Sequence, residues 1–116
     1  MNDLIDIDWE QLHQVSEYDP EFELELLTML AADVKIHIAD LRQAVVDRDA
    51  IAIFDQAHYI KGASANVGIT SITALAQQIE TLARDRHLAD TAALVEQMAI
   101  DLGYLETYLA TRHEIG

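Results

Sequence analysis

His58-Tyr59-Ile60-Lys61-Gly62-Ala63-Ser64-Ala65-Asn66-Val67-Gly68 places a histidine, a lysine one turn later and a bare glycine beside them in what otherwise reads as a helix. At about 100° per residue, Lys61 lies roughly 60° from His58 around the axis and Gly62 roughly 40° on the other side. All three share one face. Ile53, Ala57, Ile60, Ser64 and Val67 gather on a different face, more than a quarter-turn away. That apolar stripe belongs in a core, so the His58 face should meet water. A mid-helix glycine costs about 0.8–1 kcal/mol relative to alanine. Something other than helix stability keeps that spot uncovered.

Working outward, the same periodicity recurs. One proline, four glycines and few aromatic residues make a helical composition. A short helix is expected over about 8–17, starting at the cap candidate Asp8. Asp19-Pro20 announces a second, over about 20–46, with a cap followed by proline at the first helical position. Its stripe is Leu27, Leu30, Val34, Ile38, Leu41 and Val45. The third helix, about 50–67, carries the quoted stretch, and Gly68 breaks it. A fourth over about 70–85 repeats Ile72, Leu75, Ala76, Ile79, Leu82 and Ala83. Asp90 is a candidate cap for a fifth over about 90–113, facing inward through Leu94, Met98, Leu102, Leu105 and Leu109. Gly103 falls inside it without an evident role. Four long amphipathic helices with short connections predict an all-α, antiparallel up-down-up-down four-helix bundle, covered at one end by the short first helix.

The chain has 116 residues, one domain's worth. With no cysteine, neither disulfides nor thiolate metal sites are possible. No apolar run reaches the roughly 18 residues of a membrane span, and the N-terminal stretch is acidic rather than basic. The expectation is a cytoplasmic protein away from membranes. Net charge is −14, which would repel nucleic acid. It solvates a helical surface or steers the chain toward a basic partner.

The quoted stretch resembles the histidine-containing phosphotransfer (HPt) domain family. The family pattern is His-x-aliphatic-Lys-Gly-small-small-x-x-aliphatic-Gly. His58, Ile60, Lys61, Gly62, Ala63, Ser64, Val67 and Gly68 fill it. Ile7-Asp8-Trp9 is similar to the family's short first helix. Ile72, Leu75, Ile79 and Glu80 stand at aliphatic and acidic positions of its next helix. The resemblance implies phosphorylation of His58 on Nε2 and receiver domains as partners. It also implies Mg²⁺ supplied at the receiver's own aspartate site, with no cofactor held here.

The residues make chemical sense of that. Neutral imidazole is a nucleophile near neutral pH. Lys61 is placed to pair with phosphoryl oxygens as a point charge. Gly62 leaves backbone open to a partner loop. Lys35, aligned where some members of the family have glutamine, is a candidate second cation. Ile7 and Gln11 of the first helix, with Ala31, Ala32, Ile36, Ala39 and Ala65, are candidates for a receiver-docking patch. Ser64 reads as a small packing residue bonded to a backbone carbonyl. His13, His37, His87 and His113 show no metal-ligand spacing and read as surface residues. Tyr104 and Tyr108 read as half-buried, and Trp9 as the anchor of the first helix.

No nucleotide-binding loop is present, so the chain should neither bind ATP nor phosphorylate itself. The expected function is phosphoryl carriage, from one receiver aspartate onto His58 and on to another receiver. One alternative is the phospho-accepting domain of a chemotaxis-type kinase, cut from a larger chain. The initiating Met1 and the tail Glu114-Ile115-Gly116 point instead to a free-standing protein, expected to be monomeric. Another is a helical adaptor that docks receivers without exchanging phosphate. Retention of both His58 and Lys61 argues against it.

Overall fold

The computed structural model describes residues 5–115, with side chains described for 5–112. Five α-helices follow one another: α1 Trp9–Val15, α2 Pro20–Val46, α3 Ala50–Val67, α4 Thr70–Arg84 and α5 Thr91–Ile115. The first three start on aspartates whose carboxylates accept otherwise unpaired N–H groups. Asp8 accepts from Gln11, Asp19 from Glu21 and Phe22, and Asp49 from Ala52. Pro20 occupies the first turn of α2, where its missing N–H costs nothing.

Two expected boundaries differ. The first helix ends at Val15 because Glu17 and Tyr18 adopt left-handed φ of 56° and 60° and turn the chain into α2. Asp90 closes a 3-10 turn, Leu88–Asp90, that runs directly into α5 at Thr91. The three inner helix ends share one closing device. At α3, Gly68 N–H donates to Ala65 and Ile69 N–H to Ser64. Arg48 and Asp49 close α2 the same way on Val45 and Ala44, as do Arg86 and His87 for α4 on Ala83 and Leu82. This is the Schellman arrangement, with a left-handed residue just past the helix. That residue is Gly68 at α3, but Arg48 and Arg86 at the other two.

The long helices form an antiparallel up-down-up-down bundle, in the cyclic order α2, α3, α4, α5. Leu27, Val34, Leu41, Ile53, Ile60, Ile72, Ile79, Met98 and Leu105 are almost fully buried between them. Each such side chain stabilises the fold by about 1.5–3 kcal/mol relative to exposure. The short helix α1 lies over the corner where α3 turns into α4. Leu12 is fully buried there, and Trp9 packs on half-buried Tyr108 at 5.9 Å between ring centroids. The preceding strand of backbone is stitched to the corner. Asp8 N–H donates to the Gly68 carbonyl at 2.7 Å, and Ser71 N–H to Asp6 at 3.3 Å. Among the described residues, no helix is long and apolar enough to cross a membrane.

Candidate functional site

Helix α3 presents its core face as the sequence predicts. Ile53, Ala57, Ile60, Ser64 and Val67 are all buried. The Ser64 hydroxyl donates to the Ile60 carbonyl at 2.7 Å and also meets Thr73 on α4. Rotated away from that face, the His58 side chain is 64% exposed. A Cβ built at Gly62 would meet nothing within 4 Å. The surface beside the imidazole is therefore open.

The site's organising residue is Glu80 of α4. Its side chain is only 3% exposed, yet it accepts from three donors. His58 Nδ1 lies 3.2 Å from one carboxylate oxygen, and Lys61 Nζ 2.9 Å from the same oxygen. The Arg84 guanidinium, one turn along α4, lies 3.2 Å from the other. Burial pushes the Glu80 pKa up. Hydrogen bonds and charge from Lys61 and His58 pull it down further, and the net shift is downward. Glu80 is thus held as a carboxylate. With Nδ1 carrying its proton toward Glu80, the Nε2 lone pair points to the open side. Phe54 completes the constellation. Its ring lies parallel to the imidazole at 5.8 Å, and the Arg84 guanidinium sits over the Phe54 ring, 5.5 Å from its centroid.

Lys61 is not the free surface lysine that exposure of His58 suggests. It is 27% exposed and bends onto Glu80, with a further bond to Gln77. Glu80 and Arg84 were not singled out as site residues from sequence alone. The signal existed: Ala76, Ile79, Glu80 and Ala83 form an i, i+3, i+4, i+7 series, so one carboxylate stands in core register. A carboxylate there needs cationic partners, and Arg84 follows four residues later.

Lys35 does not join this group. It is exposed on the flank of α2 that faces α5, and its Nζ pairs with Glu106 at 3.4 Å. His58 is engaged across α3 and α4 instead. Ala31 is 5% exposed and belongs to the core, so it cannot line a docking face. Ala32, Ile36, Ala39 and Ala65 are exposed, and Ile7 and Gln11 half-buried. The Gln11 amide donates to the Ala65 carbonyl, tying α1 to the C-terminal half of α3. Gly68, buried, ends α3 as expected.

Two histidines read as surface residues are half-buried. His13 pairs with Glu23 at 2.6 Å, and His37 bonds Gln56 at 2.7 Å while stacking on Tyr59 at 3.9 Å. His87 is exposed, and the His113 side chain lies outside the described residues. Among the described residues, no group of three or more His, Asp or Glu could hold a metal ion.

Comparison with protein-family models matches the Hpt domain over residues 25–111. Comparison with curated protein sequences gave no significant match. Among solved structures, the chain is similar to histidine-containing phosphotransfer protein B of Pseudomonas aeruginosa. The TM-score is 0.85 at 24% identity, covering 95% of this chain and 96% of that one. It is also similar to the HPT domain of a Shewanella sensor hybrid histidine kinase, with TM-score 0.77, 19% identity and 98% coverage of both chains. The histidine-containing phosphotransfer domain of ArcB from Escherichia coli follows with 0.63, 23% identity, and 92% and 95% coverage. At these identities the structural likeness speaks for the fold.

Proposed function

Because the chain belongs to the Hpt domain family, we propose that His58 Nε2 carries a phosphoryl group between receiver domains of a phosphorelay. The observation that carries this reading is the Glu80 contact. It turns Nδ1 inward and leaves Nε2 on an exposed face beside an uncovered glycine.

The step is an in-line displacement. The Nε2 lone pair attacks the phosphorus of a receiver's aspartyl phosphate. The N–P bond forms as the P–O bond to the aspartate breaks, and the aspartate leaves as a carboxylate. Nδ1 keeps its proton throughout, and the positive character gained by the ring is balanced by Glu80 at 3.2 Å. Lys61 and Arg84 stand ready to turn from Glu80 toward the phosphoryl oxygens. The partner's site supplies Mg²⁺. Return transfer runs the same path backward.

The test is a panel of phosphorylated receiver domains from the same genome, each incubated with the chain and Mg²⁺. At least one should label the wild type on histidine with an acid-labile bond. ATP alone should not label it, and His58→Gln should take no label. Persistent labelling of His58→Gln would remove His58 from the role. Labelling by ATP alone would overturn the carrier reading.

A further inference from the structure

Seven cations stand against 21 carboxylates in this chain, so where the cations gather is informative. Lys35 and Arg42 are paired with Glu106 and Glu96 across α2 and α5. Lys61 and Arg84 share Glu80. Arg48 and Arg86 form no ion pair among the described residues.

A groove of about 260 Å³ opens between the start of α3 and the end of α4, lined by Ala50, Ile51, Phe54, Ala83, Arg84 and Arg86. Its lining holds two guanidiniums and no carboxylate. Its floor is apolar, and Ile51 on its rim is 68% exposed. It abuts the phosphorylatable ring, because Phe54 both lines it and stacks on His58 at 5.8 Å. On the helical wheel of α3, Ile51 lies about 20° from His58, on the same exposed face two turns earlier.

Arg86 adds a second observation. It takes the left-handed position after α4, with φ 58°, where glycine fits with least strain. A cation at a helix C-terminus gains from the helix dipole. That gain does not require the strained position, since Arg84 already stands in the last turn. An arginine held in a strained conformation at the mouth of an apolar groove invites a functional reading.

We propose that this groove is a docking surface for the receiver partner, and that it takes an apolar side chain flanked by carboxylates from the receiver's rim. The proposal rests on the carrier reading above. Charge complementarity selects the occupant. In a chain of net charge −14, a carboxylate-flanked segment is repelled by most of the surface and attracted here. The docking face then extends from Gly62 and His58 toward the α2–α3 and α4–α5 turns.

The experiment uses whichever receiver transfers to the wild type, with phosphoramidate as a small donor that needs no docking. Arg86→Gly should melt no lower than the wild type, because it relieves the left-handed strain. Its transfer at low receiver concentration should nevertheless fall several-fold. Arg86→Glu and Ile51→Asp should lower transfer further, with phosphoramidate labelling of His58 unchanged. Ile100→Asp, an exposed apolar site on α5, should transfer as the wild type does. Added salt should slow the wild type and slow Arg86→Gly less. Wild-type transfer rates in all three groove variants would overturn the groove and leave the carrier reading standing. Intact phosphoramidate labelling with no transfer from any receiver would overturn both.

Discussion

Glu80 takes hydrogen bonds from three side chains on two helices, and its carboxylate form is favoured by folding. Its pKa in the fold lies below the ordinary value of 4.5, so its stabilising contribution is complete above that pH. The contribution is lost as pH falls through the lower, folded value. Glu80→Gln should therefore be less stable than the wild type by about 1–3 kcal/mol at neutral pH. The gap should close below about pH 4.5, which urea unfolding across the pH range would measure. A gap that stays constant with pH would mean the charge is not what Glu80 contributes. Gly62 behaves oppositely. Its Cβ position is empty, so Gly62→Gln should raise the melting temperature while slowing receiver transfer. A more stable variant transferring at the wild-type rate would sink the open-backbone argument. Residues on α3 were legible in the sequence because their geometry is local: three positions within five residues fix a face. The surroundings of Lys35 and Ala31 were not legible, because the neighbour of each flank of α2 depends on how helices distant in sequence pack.

Helices themselves were legible nearly to the residue at Asp19-Pro20 and Gly68, where cap and breaker chemistry marks the boundary. They were less so at Glu17 and Asp90, because ordinary residues adopt left-handed or 3-10 backbone there only in the folded context. Gly68 combines two demands. Its φ of 80° closes α3, and an added Cβ would come within 2.9 Å of the Asp8 carbonyl oxygen. Gly68→Ala should cost about 1–3 kcal/mol, more than the usual glycine-to-alanine change at a helix end. It should also loosen α1. Hydrogen exchange would show this as faster exchange at the Asp8 amide, which Gly68 accepts at 2.7 Å. Loss of stability without faster exchange at Asp8 would confine the effect to the helix end.

At the scale of the whole molecule, a net charge of −14 on a bundle of 43 × 24 × 21 Å sets up self-repulsion that the compact state must overcome. Raising ionic strength at neutral pH should therefore raise the melting temperature. A flat or falling dependence would mean that the ion pairs at Glu80, Glu96 and Glu106 outweigh the repulsion. The bundle was readable from apolar periodicity, but its cyclic order was not, since no local pattern says that α5 closes against α2. That closure leaves the His58 imidazole on an exposed face, 64% open. A single reactive nitrogen admits one visitor at a time. If the proposed carrier role holds, donor and acceptor must queue, and exchange should follow ping-pong kinetics, with parallel lines in double-reciprocal plots and inhibition by excess of either receiver. On that proposal, a visitor slow to depart would hold up the next, and surplus acceptor would jam the traffic it is meant to relieve.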